Sequence, residues 1–234
     1  MKSYVIESAI LAVGLAIAGI FVYFGLGSFA QRERVVSVRG LAEREVDADH
    51  VIWPIIYKTT GNDLQAIYAE VNAANAKISQ FLTANGIKAD EISVSAPQIV
   101  DLRADRYANQ ENIVERYNVT STMTVSTGQV ALARQLMSRM GELLKQGVAI
   151  SASDYGSMVK YEFNGLNKIK PEMIEEATKN AREAAHKFAN DSESELGKIK
   201  DASQGLFSIE DRDEYTPYIK RVRVVTSVNY YLES

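Results

Sequence analysis

The sequence predicts an α+β fold behind an N-terminal hydrophobic helix: about seven mostly antiparallel strands and three helices in the order ββαββαβαββ. Three observations predict it. Hydrophobic residues make up 46% of the 234 positions, enough for the core of one domain. From Val35 onward the apolar pattern switches between a period of two and one of about 3.6 residues, the signatures of strands and amphipathic helices. Before that, residues 9–30 carry no charge and are almost wholly apolar.

The first element is that apolar run. A helix rises about 1.5 Å per residue, so residues 8–30 match a hydrocarbon core of about 30 Å and predict a membrane anchor. A cleaved signal segment is the alternative, with Ser28-Phe29-Ala30 as the small-residue site before Gln31. Arg32, Arg34, Arg39 and Arg44 follow the run and outnumber Lys2 before it, which runs against the positive-inside rule for an exported body. Gly25 to Ala30 match the letters of a dinucleotide-binding loop but end a membrane-length run, so no cofactor is assigned. The chain thus divides into an anchor or signal segment at 1–30, a polar linker at 31–34 and an α+β domain at 35–234.

In the domain, 35–47 and 50–59 read as strands about an acidic turn at Asp47-Ala48-Asp49. Pro54 cannot donate to a ladder, which predicts an edge strand or a bulge for the second. Trp53 is expected in the core or at a subunit contact. Residues 62–85 form a helix with the stripe Leu64, Ile67, Tyr68, Val71, Ala74, Ile78, Phe81 and Leu82, opened by Asn62 with Gln65 and stopped at Asn85-Gly86. Strands follow at 91–100 and 115–126. In the latter, Tyr117, Val119, Ser121, Met123 and Val125 alternate with polar residues, so one face is buried. Ser126 and Gln129 open a helix over 127–146 with Leu132, Leu136, Met137, Met140, Leu143 and Leu144 inside. A strand at 149–163 leads to the longest helix, 171–195, with Pro171 in its first turn and Ile174, Ala177, Ala181, Ala184, Ala185 and Phe188 inside. Strands at 199–210 and 220–232 close the chain.

Composition excludes several classes of function. A net charge of −4 and a pI near 5.4 argue against a nucleic-acid partner. With no cysteine there is no disulfide, thiol catalysis or Cys-ligated metal, and two histidines, His50 and His186, cannot build a multi-histidine site. No nucleophile elbow, phosphate loop or metalloprotease helix occurs. No catalytic, cofactor or metal residue is therefore assigned; His50 reads as part of a solvated turn and His186 as a surface residue.

Several segments resemble the SIMPL domain family, bacterial envelope proteins described as a domain of unknown function. Val36-Ser37-Val38-Arg39-Gly40 followed by Val46-Asp47-Ala48-Asp49 is similar to the family's opening strand pair, although Leu41 stands where a second glycine is usual and Ala48-Asp49 where Pro-Asp is usual. Ile169 to Ile174, Ala181 to Ala185 with Phe188-Ala189, and Leu196 to Ile199 resemble its long helix and the turn into the next strand. The likeness spans about Val35 to Leu232. It implies a periplasmic domain on an inner-membrane anchor, or one released to the periplasm after cleavage near Ala30. It also implies assembly into homo-oligomers, rings or channel-like forms, and a role in envelope or oxidative stress. It supplies no catalytic residues.

Two segments are candidate contact sites. Asp211, Asp213 and Glu214 face Lys220, Arg221 and Arg223 across Tyr215 to Tyr218, opposite charges that pair within one subunit or between neighbours. Arg103, Arg106 and Tyr107 sit in a polar stretch suited to grip a partner, other envelope proteins included. The expected function is non-enzymatic self-assembly. A monomeric binding module for a protein or small ligand is the first alternative, and a buried apolar pocket would favour it. An unrecognised hydrolase is the second, and turnover of generic ester, phosphate or glycoside substrates that is lost on mutating candidate carboxylates would favour it.

Overall fold

The computed structural model describes residues 2–31, 34–104, 113–151 and 158–233, and in the N-terminal helix the side chains of 8–23. The elements are α1 (Lys2–Gln31), β1 (Val35–Asp47), β2 (His50–Gly61), α2 (Leu64–Ala84), a 3-10 turn at Ala89–Glu91, β3 (Ile92–Val94), β4 (Gln98–Asp101), β5 (Tyr117–Thr127), α3 (Val130–Ser138), α4 (Gly141–Lys145), β6 (Ile150–Ser151), β7 (Lys160–Glu162), α5 (Leu166–Asp191), β8 (Glu195–Gln204), β9 (Ser208–Asp211) and β10 (Ile219–Glu233). The class is α+β as expected, with ten strands in two antiparallel sheets and five helices among the described residues. The counts rise because three predicted strands and one predicted helix are each split in two.

The chain clusters into two compact units, residues 1–44 with 167–209 and 222–234, and residues 45–166 with 210–221. In the first, the sheet runs β1-β10-β8, with β9 also paired to β10. Helix α5 lies on this sheet through Met173, Ala177, Ala181, Ala185 and Ala189, all buried and each four residues from the last. Ala181 and Ala185 pack with Val38, Val228 and Tyr230. The approach is close enough that a Cβ built on Gly40 would stand 1.8 Å from the Ala177 carbonyl oxygen and 2.4 Å from the Ala181 nitrogen. A strand glycine here is a close-packing device. Asn180 Nδ2 donates to the Leu41 carbonyl at 2.8 Å, and Arg44 pairs with Glu172 at 2.8 Å.

Two expectations for α5 are corrected. It begins at Leu166, so Pro171 lies inside it and removes one i→i−4 bond near its start. Phe188 faces solvent and Ala189 takes the inner position, because the buried row recurs every four residues from Met173 through Ala185 and reaches Ala189, one residue past Phe188.

Helix α1 leaves its described large apolar side chains exposed. From Ile10 to Tyr23 its large apolar residues are 50–76% exposed, and they lie on all sides of the helix. Among the described residues no helix is long and apolar enough to cross a membrane. The described side chains of α1, residues 8–23, are fewer than the ~20 such a crossing needs.

The second unit holds a sheet of order β3-β5-β2-β6, with β4 also on β5 and β7 also on β2. Strands β2 and β5 pair without a break from Val51↔Thr127 to Gly61↔Tyr117. Pro54 is therefore central and unbulged, contrary to expectation. On its other side β7 pairs as far as Ile52 and β6 from Ile56, and no described residue pairs with Pro54 there, so its missing N–H meets no described acceptor. The predicted strand 91–100 is likewise one lane in two pieces, β3 and β4, separated by a segment containing Pro97.

One face of this sheet is the main core. Val51, Trp53, Ile55 and Tyr57 of β2 and Val119, Met123 and Val125 of β5 pack with Ile67, Val71, Ile78 and Leu82 of α2. The N-cap of α2 is Asp63, whose carboxylate accepts from the Gln65 and Ala66 amides, one residue later than predicted. Its C-terminal stop is as expected, with Asn85 as C-cap and Gly86 at φ +101°. The predicted helix 127–146 starts at Val130 and breaks before Gly141, a poor helix former. The break turns Leu143 fully into the core and leaves Leu144 exposed.

Candidate functional site

The acidic and basic runs of the closing hairpin meet within the chain. The ammonium of Lys220, a residue 7% exposed, pairs with the Asp211 carboxylate. Arg212 donates to Asp213 at 2.9 Å and to the Thr216 hydroxyl at 2.9 Å, and lies 3.5 Å from Glu45. Arg221 lies 3.9 Å from the same Glu45. Asp213 also accepts from the amides of Tyr215 and Thr216, closing the turn. The Thr216 hydroxyl, then the Arg212 guanidinium, hold the Asp213 carboxyl down at about 2. Glu214 and Arg223 are exposed.

The candidate partner loop is tied at its base. Arg116 makes a bidentate pair with Asp101, its Nη2 2.7 Å from Oδ2, and holds that carboxyl below the usual range. Arg103 donates its amide to Asp101 and its guanidinium to the Ile113 carbonyl. Asn62, expected as a helix cap, bridges this base instead: its Oδ1 accepts from the Arg116 amide and its Nδ2 donates to the Val114 carbonyl. Arg106 and Tyr107 lie outside the described residues.

A third constellation went unnoticed in the sequence. His50, Ile52 and Pro54 alternate with core residues along β2 and share its other face. Across the sheet, Ser126 stands opposite Ile52 and Thr124 opposite Pro54 on one side; Glu162 stands opposite His50 and Lys160 opposite Ile52 on the other. His50 Nε2 and Ser126 Oγ are 2.9 Å apart, with the donor set by the imidazole tautomer. The sequence pattern places Ser126 at a helix cap, whereas the helix begins four residues later and Thr127 Oγ1 accepts from the Gln129 amide. A cleft of about 600 Å³ adjoins, lined by Ile52, Pro54, Thr124, Met158 to Glu162, Asp211, Pro217 and Lys220.

A second hollow of about 490 Å³ lies at the start of α3, where the Arg134 guanidinium stacks 3.4 Å over the Tyr218 ring. Among the described residues no group of three or more His, Asp or Glu is placed to hold a metal ion.

Two antiparallel sheets, with a long alanine-lined helix seated on a strand glycine, define an α+β domain of a recognisable kind. Residues 36–226 match the SIMPL family, a family of unknown function (DUF541), and the chain belongs to it. The match includes both compact units and the Gly40 to α5 packing. No curated protein sequence matches the chain.

Proposed function

We propose that this SIMPL-family chain is a membrane-tethered envelope protein whose domain faces the periplasm and associates with copies of itself. The observation that carries the tether is α1. A helix apolar on every side, whose large apolar side chains from Ile10 to Val22 are at least half exposed, leaves surface that costs about 25 cal/mol per Å² in water, and a bilayer core is the medium that removes it. The charge-free run continues to Ala30, which supplies the remaining length. The periplasmic orientation and the role in envelope or oxidative stress rest on the family resemblance.

Self-association is supported by β8. It ends its sheet among the described residues and is exposed over most of its length, and an open strand edge is a template for another chain. Glu214 and Arg223 remain available at the surface for a subunit contact. The test is the mass of the full chain in detergent micelles by light scattering, in low and high salt. A single defined species of several copies is expected; a monomer at both salts would overturn self-association. Reversing Arg221 and Arg223 to Glu should lower that mass in low salt, and an unchanged mass would remove the charged hairpin from the contact.

A further inference from the structure

We propose that Ser126, His50 and Glu162 form a nucleophile, base and orienting acid, and that this row cleaves esters whose apolar acyl chain lies in the adjoining cleft. The proposal is independent of the membrane tether and of self-association.

Three adjacent strands supply the row. The Ser126 hydroxyl and His50 Nε2 are already at hydrogen-bond distance, 2.9 Å, the separation that lets an imidazole take a hydroxyl proton. Glu162 stands directly opposite His50 on β7, and directly opposed strand residues have their Cβ atoms about 5 Å apart on one face. From there a glutamate side chain reaches the second imidazole nitrogen by a rotamer change, holding the tautomer that leaves Nε2 free to accept. The nearest other carboxylate in sequence, Asp49, is engaged by the Asn164 amide at 2.8 Å, which leaves the orienting role to Glu162.

The cleft decides the substrate class. Its apolar lining of Ile52, Pro54, Met158, Val159 and Pro217 lies on or beside the face that carries the row, and its volume of about 600 Å³ suits a short acyl chain. The Ser126 oxygen adds to the ester carbonyl carbon as its proton passes to His50. The bond to the alcohol oxygen then breaks, and the departing alcohol takes that proton. Water, deprotonated by His50, cleaves the acyl-serine in the same way and releases the carboxylic acid. Lys160, on the same face opposite Ile52, adds positive charge where the carbonyl oxygen becomes anionic.

The test uses the full chain in detergent micelles with an alkyl fluorophosphonate as probe, read by peptide mass spectrometry, and p-nitrophenyl butyrate as substrate. One adduct on Ser126 is expected, with butyrate hydrolysis abolished in Ser126→Ala and both rates lowered at least about 100-fold in His50→Gln. Both residues lie at the solvent-facing side of the sheet, and unchanged melting curves for the variants certify their folding. Glu162→Gln, a change in a positioning residue, should shift the acid limb of the labelling rate to lower pH. The charged groups on the face of His50 are Glu162 and Lys160 of β7 and Lys58 further along β2, with Asp211 and Lys220 lining the adjoining cleft, and Lys160→Met should shift that limb the other way. No adduct on Ser126, or labelling as fast in His50→Gln as in the parent, would overturn the proposal.

Discussion

Replacing Gly40 by Ala puts a methyl group where α5 already stands. The added carbon would lie 1.8 Å from the Ala177 oxygen, 2.4 Å from the Ala181 nitrogen and 2.9 Å from its Cβ, whereas real Cβ atoms keep at least 3.0 Å. The helix must therefore retreat by about 1.2 Å, and two of the three obstacles are backbone atoms that no rotamer change can move. A gap of that size forfeits a quarter to a half or more of the dispersion energy along the buried alanine stripe, and overpacking of this kind costs about 1–3 kcal/mol. The gain from a stiffer unfolded chain, about 0.4–1 kcal/mol, offsets part of it. A net loss of about 1–1.5 kcal/mol is expected, a fall in melting temperature of about 2–6 °C for a chain this long. Thermal unfolding of the full chain in micelles measures it. Ala181→Gly in the same chain should give no rescue, because it leaves the Ala177 oxygen in place. A Gly40→Ala protein within about 0.5 kcal/mol of the parent would refute the packing argument.

Three further outcomes follow from the geometry. Asp63→Ala removes the N-cap of α2 and should cost about 1 kcal/mol in chemical denaturation, whereas Asn62→Ala should leave helix stability unchanged. The Tyr57 hydroxyl donates to Glu70 at 2.7 Å, and burial, then that hydrogen bond, push its ionisation up to about 12. Because the folded value lies above the unfolded one, this stabilisation is complete below about pH 10 and is lost as pH rises toward 12; absorbance titration should find Tyr57 ionising late, and Glu70→Ala should bring it forward. Asp213 behaves in the opposite sense: its value of about 2 lies below the unfolded one, so its contribution is complete above about pH 4 and is lost as pH falls toward 2. Carbon NMR of the Asp213 carboxyl should show that low midpoint, and Arg212→Met should raise it.

What was legible in the sequence follows from what a local pattern can encode. Strict alternation in β5 and the 3.6-residue stripe of α2 depend only on near neighbours, and both elements fall within a few residues of their predicted ends. The start of α5 was misplaced because Pro171 looks like a first-turn residue, while the chain tolerates it inside the helix near its start. The inner face of that helix runs through Ala189 and not Phe188, because four-residue steps from Ala177 and Ala181, the residues against Gly40, reach the one and miss the other. Pro54 reads locally as an edge or bulge signal; that β2 is instead central depends on β5, β6 and β7, which pair with it from far along the chain. The same reason hid the row of His50, Ser126 and Glu162, which exists only once three strands are in register. The pairing of Lys220 with Asp211 was open in the sequence because opposite charges on a hairpin do not state whether they meet within one chain.

The central claim is the tether, and alkaline extraction of membranes carrying the full chain tests it most directly. The account predicts that the chain stays with the lipid pellet after carbonate treatment and floats with it on a density gradient, while a chain beginning at Val35 is recovered in the soluble fraction. Full-length chain released into the supernatant would contradict it.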